Sequence, residues 1–436
     1  MKTEVSTHDI NIGVLGLTHL GCVLCASWSK LGFHTVGIDL DEKIVGHLRN
    51  SIAPIFEPGL EAEIHNGLTS KKLQFTTDIA SASSCDYLFF GYDTEVDDQD
   101  APDTTYLEAR MQEIAPMLKQ NCTVVVSSQV PAGWCRRFRA VLQKYHPSVE
   151  LVYSPENLQL GQAIQCYLTP ERIILGIGHV HALERSLRLF HTITQNVAVM
   201  SLESAEIVKH GINAFLATSI VFANQLADVC EQFPEANIAD VVKGIKSDVR
   251  IGLKAYLSPG IGFSGGTLGR DVAVLDRILK QQDSEANLFD FVYIKNKNRK
   301  NSIINKIKRL LNPLGHRTIG VLGVTYKPGT STLRRSLPIE IVQCLVEAGA
   351  KVKVFDPKAD YSALKNPDLF TRVTSIDNAA ENADLLLLLT EWPEFKQCEW
   401  DKIKPKMKTA IIFDAKNALD RNTLVGAGFH YQGIGR

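Results

Sequence analysis

The chain has 436 residues, too many for one ordinary hydrophobic core, so two or three domains are expected. Its 45% hydrophobic and 22% charged content is that of a globular protein. A formal net charge of −1 gives no reason to expect nucleic acid or an anionic membrane as a partner, no apolar run reads as a membrane span, and the polar start MKTEVSTHD has no apolar signal region.

In chain order, the first element is an apolar strand, IGVLG, running into the turn Gly16-Leu17-Thr18-His19-Leu20-Gly21. A helical pattern follows, then a second strand, HTVGID, ending in Asp39. Strand, glycine turn, helix and parallel strand make a βαβ unit, the opening of a doubly wound nucleotide-binding sheet. A dinucleotide turn has the form G-x-G-x-x-G, and its middle glycine lets backbone approach a pyrophosphate. Gly16 and Gly21 keep the outer positions, while Thr18 stands in the middle one. The carboxylate of Asp39 suits the ribose hydroxyls of NAD and repels the 2′-phosphate of NADP. NAD is therefore the expected cofactor, with Lys43 a candidate ribose contact. Cys22 and Cys25 have C-x-x-C spacing, but no second metal or redox pair accompanies them. They read as buried thiols, no metal site is expected, and nine scattered cysteines fit a cytoplasmic protein with reduced thiols.

Further strands are expected at 87–91, 123–128, 150–154, 172–176 and 197–201, with helical patterns between them. From Glu203 to Glu231 one long helix is expected; apolar residues recur nearly all round it, which predicts burial on more than one side and a natural dimerisation element. A second long helix is expected over roughly 285–311, its basic run a solvated face. IGVLGLT at 12–18 then returns as IGVLGVT at 319–325, again followed by a helix and a strand ending in aspartate, Asp356. Its turn lacks the dinucleotide spacing, which predicts a different ligand. Strands at 383–390 and 409–414 complete an α/β chain of two doubly wound Rossmann-like domains joined by a long central helix. The expected boundaries are 1–202 for the NAD-binding domain, 203–311 for a central helical and dimerisation region, and 312–436 for the second Rossmann-like domain.

Two segments carry the chemistry. Ser258 to Asp271, SPGIGFSGGTLGRD, holds five glycines and leads into a helix; such density lets backbone come close to a ligand. On the long helix, Lys209 and Asn213 are four apart and share a face, and a lysine there is costly to bury without partners. Both segments resemble the nucleotide-sugar 6-dehydrogenases, the UDP-glucose, UDP-N-acetylmannosamine and GDP-mannose dehydrogenase family, whose loop reads GxGFGGSCFxKD and whose helix reads AELxKxxxNAFLAxK. The resemblance runs from about residue 11 to Asn417, with motifs in family order.

The resemblance implies roles. Lys209 and Asn213 stabilise the alkoxide of the reacting sugar, Asp271 falls on the family aspartate, and Ser219 replaces a second lysine. YSPENL looks like the PEFLxEG segment, so Glu156 falls on a glutamate that works with water, Leu158 lies on the substrate side, and Leu160 replaces the second glutamate. Thr94 and Gln129 stand in the cofactor-side TP and STVP turns. KPGTSTLR resembles KPxTDDxRxS, with Lys327 on the sugar nucleotide, Arg334 on the cofactor, and Ser331-Thr332 replacing two aspartates. Arg250 matches an arginine that enters the neighbouring subunit's site, Tyr256 a phosphate-binding aromatic, and Gly262 and Phe263 belong to the substrate loop. A homodimer and a place in polysaccharide biosynthesis are implied too. Thr267 falls on the catalytic cysteine. A thiolate traps the aldehyde and later leaves from a thioester, whereas a threonine hydroxyl has far too high a pKa. The expected reaction is hydride transfer from a hydroxyl of a UDP-sugar without the cysteine-dependent second oxidation. An epimerase using transient oxidation, or a non-catalytic nucleotide-sugar-binding protein, are the alternatives.

Overall fold

The computed structural model describes residues 10–97, 100, 102–156, 158–264, 266, 268–282, 287–364 and 366–436. The chain divides into two compact units, Met1–Gly211 and Ile212–Arg436, and the division falls inside one long helix.

The first unit runs β1 (Asn11–Leu15), α1 (His19–Lys30), β2 (His34–Ile38), α2 (Glu42–Arg49), α3 (Leu60–Thr69), β3 (Leu73–Thr76) and β4 (Tyr87–Phe90). A small hairpin of β5 (Glu95–Val96) and β6 (Pro102–Asp103) follows, then α4 (Thr105–Ile114), β7 (Thr123–Val126), α5 (Trp134–Tyr145) and β8 (Glu150–Tyr153). The unit closes with α6 (Ala163–Leu168), β9 (Ile173–Ile177), α7 (Val180–Phe190), β10 (Val197–Ser201) and the start of α8 (Leu202–Cys230). Eight strands form one sheet in the order β10-β9-β8-β7-β4-β1-β2-β3. Every neighbouring pair is parallel except β8 with β9. The continuous apolar runs YLFF and TVVV are buried throughout, as strands covered on both faces must be. Ile12 and Val14 feed the core on one face, Leu15 that on the other. On the first face Trp28 of α1 packs against Phe33, Phe89, Tyr167 and Phe190, with ring centroids 5.4–6.2 Å apart. Cys22 and Cys25 lie in this core as free thiols, and burial pushes both pKa values up.

The second unit holds the rest of α8, then α9 (Ile238–Ser247), α10 (Leu268–Lys280) and α11 (Leu288–Leu310). Its sheet is built from β11 (Thr318–Leu322), β12 (Lys351–Phe355), β13 (Thr371–Arg372), β14 (Leu385–Leu388), β15 (Ile411–Asp414) and β16 (His430–Gly433), with α12 (Leu337–Glu347) between β11 and β12. The order β13-β12-β11-β14-β15-β16, parallel throughout, is the doubly wound order expected from the repeated turn.

Helix α8 is buried round much of its circumference, with Ala205, Ala214, Ala217, Ala223 and Ala227 all 2% exposed or less. One stripe stays open within the chain: Phe215, Phe222 and Val229, seven apart, stand 70%, 49% and 55% exposed. By length and hydropathy α8 also qualifies as a membrane span, and half of its apolar window is buried within the chain. Phe291 and Ile294 of α11 are exposed as well.

Candidate active site

In an open parallel sheet the ligand crevice lies beyond the carboxyl ends of the strands, where the order reverses. In the first unit that point is β1, which pairs with β2 on one side and β4 on the other. Gly16 follows β1 with φ +93°, and a side chain there would strike the ring of Tyr92 at 2.4 Å. A Cβ on Gly21 would sit 1.8 Å from the carbonyl oxygen of Gly16, so the helix can seat on the turn because it lacks one. Thr18 occupies an ordinary extended conformation, φ −69°, and gives α1 no side-chain cap. Its hydroxyl donates instead to the carbonyl of Gly91, 2.8 Å away. The first-turn N–H groups of α1 are thereby left for an outside acceptor, and no acidic residue in that turn repels an anion. Asp39, at the end of β2, accepts from the N–H of Leu17 at 2.8 Å and of Asp41 at 3.0 Å. Glycine turn, uncapped helix and strand-end carboxylate fit a dinucleotide diphosphate and its ribose. Lys43 is exposed in the first turn of α2. Thr94, buried beyond β4, donates to the carbonyl of Gln129 beyond β7 at 2.5 Å, which joins the two cofactor-side turns.

The opening turns of α8 fasten these loops. Glu206, fully buried, accepts from the N–H groups of Gly133 and Cys135 at the start of α5. Burial pushes its carboxyl up while those bonds hold it down. His210 donates through Nε2 to the carbonyl of Val130 at 3.1 Å. Lys209, 8% exposed, donates to the carbonyl of Glu156 at 2.6 Å. Positions 206, 209 and 210 share one helix face, so one strip of α8 fixes the turns after β7 and β8. The Glu156 carboxyl is pushed up to about 8 by desolvation, with the charge of Lys209 opposing. Leu158 and Leu160 are half-buried on the loop beyond it. That loop is held by Glu57, which accepts from Gly161 N at 2.9 Å and Ala163 N at 2.8 Å and lies 3.0 Å from Nε2 of His19, the first residue of α1. Glu57 thus links the cofactor turn to the Glu156 loop. Sequence reading missed Glu57, Glu206 and His210. The available signal was a carboxylate or imidazole set among apolar residues, and their partners lie 38–106 residues away.

In the second unit Asp271 is fully buried on α10, and the side-chain amide of Asn213 donates to its Oδ2. Arg270 Nε lies 3.9 Å from the other oxygen. The glycine-rich segment ahead of it is gripped by side chains. Asn224 Oδ1 accepts from Gly260 N at 2.8 Å, and Arg299 Nε donates to Gly260 O at 3.0 Å. Asn296 accepts from Phe263 N at 2.8 Å and donates to Phe263 O at 3.0 Å. Gly262, with φ +105°, passes so close that a Cβ would meet Asn296 Oδ1 at 2.5 Å. Thr267 lies outside the described residues. Lys327, beyond β11, sets its Nζ 5.9 Å from the ring centroid of Tyr326, and Arg334 is exposed. Arg250 is also exposed and pairs with Asp248 at 2.6 Å, while Tyr256 is 51% exposed. Within this unit, then, the fold brings Asn213 to Asp271 and pins Gly262 and Phe263, while Arg250 and Tyr256 face outward.

Three family models match the chain. Residues 10–194 match the NAD binding domain of the UDP-glucose/GDP-mannose dehydrogenase family, 203–298 its central domain and 320–421 its UDP binding domain. A UDP-glucose 6-dehydrogenase of Rickettsia conorii is 32% identical over 433 residues, 98% of this chain and 99% of that protein. One from Rhizobium meliloti is 32% identical over 437 residues, 98% of this chain and 100% of that protein. A UDP-glucose dehydrogenase from Pyrobaculum islandicum superposes with a TM-score of 0.89 at 26% identity, over 99% of this chain and 98% of that one.

Proposed function

Because the chain belongs to the UDP-glucose/GDP-mannose dehydrogenase family, an NAD-dependent enzyme family acting on nucleotide sugars, we propose that it carries out a single two-electron oxidation of a UDP-sugar and stops at the aldehyde. Bound NAD supplies the hydride acceptor. Lys209 and Asn213, one turn apart on the same face of α8, hold the sugar oxygen as its proton leaves. Asp271 accepts that proton, oriented by the Asn213 amide. Glu156, whose carboxyl rises to about 8, is largely protonated at neutral pH and so offers the sugar a neutral hydrogen-bonding carboxyl rather than an anion there.

The observation that carries the single oxidation is the missing thiol. No cysteine occurs between Cys230 and Cys344, so neither the glycine-rich segment nor α10 and α11 after it hold one. Without a thiolate the aldehyde forms no thiohemiacetal, and the second hydride has no covalent adduct to leave from. Leu160 in place of a glutamate fits the same loss. The exposed stripe Phe215, Phe222 and Val229 supports a homodimer, and the outward Arg250 supports its reaching a neighbouring subunit's site. The proposed division of labour is 1–202, 203–311 and 312–436, in a cytoplasmic enzyme. Thr267→Cys tests the reading: it is expected to yield a uronic acid, detected by mass, from a UDP-sugar that the unaltered enzyme converts to an aldehyde. Uronic acid from the unaltered enzyme would overturn it.

A further inference from the structure

We propose that Asn224, Asn296 and Arg299 are positioning residues for the nucleotide sugar, acting through the backbone of Gly260 and Phe263. The inference rests on reading the segment from Ser258 to Ser264 as the substrate loop. Gly260 and Gly262 lose more conformational freedom on ordering than other residues would and bring no side chain to pack, so Ile261 and Phe263 alone anchor this stretch by burial. Here it also lacks a strand partner. Side chains replace the missing ladder: Asn224 and Arg299 take the N–H and the C=O of Gly260, and Asn296 takes both groups of Phe263. Each gripped residue is thus bonded in both directions, as a neighbouring strand would bond it.

The clamp is itself rigid. Arg299 is 4% exposed, and its Nη1 donates to both oxygens of Asp228 on α8, at 2.7 and 2.8 Å. Lys306 lies 3.5 Å from the same carboxylate. Asn224 is buried on α8 and Asn296 stands on α11, so two packed helices set where the loop backbone goes. Beside the clamp residues lies a pocket of about 270 Å³ of mixed lining, with Asn224, Asp228, Asn296 and Arg299 among Val221 and Ile294. At its far end Ser264 Oγ accepts from the N–H of Leu337, the first residue of α12. A loop ordered before the ligand arrives spares binding that cost, and the expected reward is affinity for the ligand it touches.

The test is direct binding of UDP-glucose and, separately, of NAD to the full chain by calorimetry, with the melting temperature recorded for each variant. Asn296→Ala frees Phe263. Arg299→Lys keeps a positive charge for Asp228 and removes the fork that reaches Gly260, so it guards against a variant that simply fails to fold. Both are expected to weaken UDP-glucose by roughly 10- to 100-fold and to leave NAD affinity unchanged. A purely structural role would lower the melting temperature with both affinities kept, or reduce both ligands in parallel, and either result overturns the proposal. If the unaltered protein binds NAD but no UDP-glucose, the substrate-loop reading itself falls, and a clamp failure cannot be mistaken for it.

Discussion

The two glycine turns start from nearly the same sequence and end as different objects. Both have a left-handed glycine after the first strand, Gly16 at φ +93° and Gly323 at φ +81°. In both, the carboxylate ending the second strand accepts from the residue after that glycine and from the residue two beyond itself: Leu17 and Asp41 for Asp39, Val324 and Lys358 for Asp356. The second copy then adds Thr325 N and Oγ1, Ala359 N and the indole N–H of Trp392. Its next helix starts at Leu337 rather than three residues past the glycine, and Ser336 donates to Val324 O. The first copy keeps its helix end at the turn. A dinucleotide site therefore depends on what is left unbonded there, and Trp392 and Thr325 have used up in the second copy what Asp39 keeps in the first.

Substitutions can break or sharpen this contrast. Gly21→Val is expected to have the largest effect, since its Cβ meets backbone that cannot move away. A loss of about 3 kcal/mol in stability and of all measurable NAD binding is predicted, by thermal melting and calorimetry. Asp356→Asn is predicted to lower stability by about 2–3 kcal/mol while NAD affinity holds; Asp39→Asn should weaken NAD by roughly 10- to 100-fold, about 1.5–3 kcal/mol. Equal effects of the two on NAD would erase the distinction. Glu156 gives a pH signature to the first unit. Its folded carboxyl titrates at about 8 against an ordinary 4.5, so between those values the folded state holds a proton that the unfolded state has released. Stability is thus full below the lower value and is lost as pH rises through the upper one. Melting curves should show Glu156→Gln losing a few degrees less than the unaltered protein between pH 5 and 8. The smallest effect is expected of Thr18→Gly, which removes the bond to Gly91 but lets a diphosphate come closer. NAD should tighten a few-fold while stability falls by about 0.5–1 kcal/mol.

Much of the scaffold was legible because it rests on local rules. IGVLG before a turn, the run TVVV and the apolar length of α8 fix strands and helix by pattern alone, and α8 ends within a residue of expectation. What escaped is what depends on distant partners. Strands β3 and β16, LQFT and HYQG, are short and partly polar, and pairing with β2 and β15 makes them strands. β9 was expected as a strand, but nothing in RIILG says that it runs against β8. The exposed stripe of α8 is as apolar as its buried one, so composition could not tell them apart. At the site, glycines and aspartates in motifs were readable one by one. Glu57, Arg299 and Asn296 were not, because a single polar residue reveals nothing until the backbone it bonds has been folded against it.

The central claim is that oxidation halts after one hydride, and the most direct measurement is the number of NADH formed per product when the unaltered enzyme turns over UDP-glucose and related UDP-sugars, with each product identified by mass and NMR. One NADH per molecule of aldehyde is the predicted result. Two NADH with a uronic acid would contradict it, as would an isomeric sugar formed with no NADH at all.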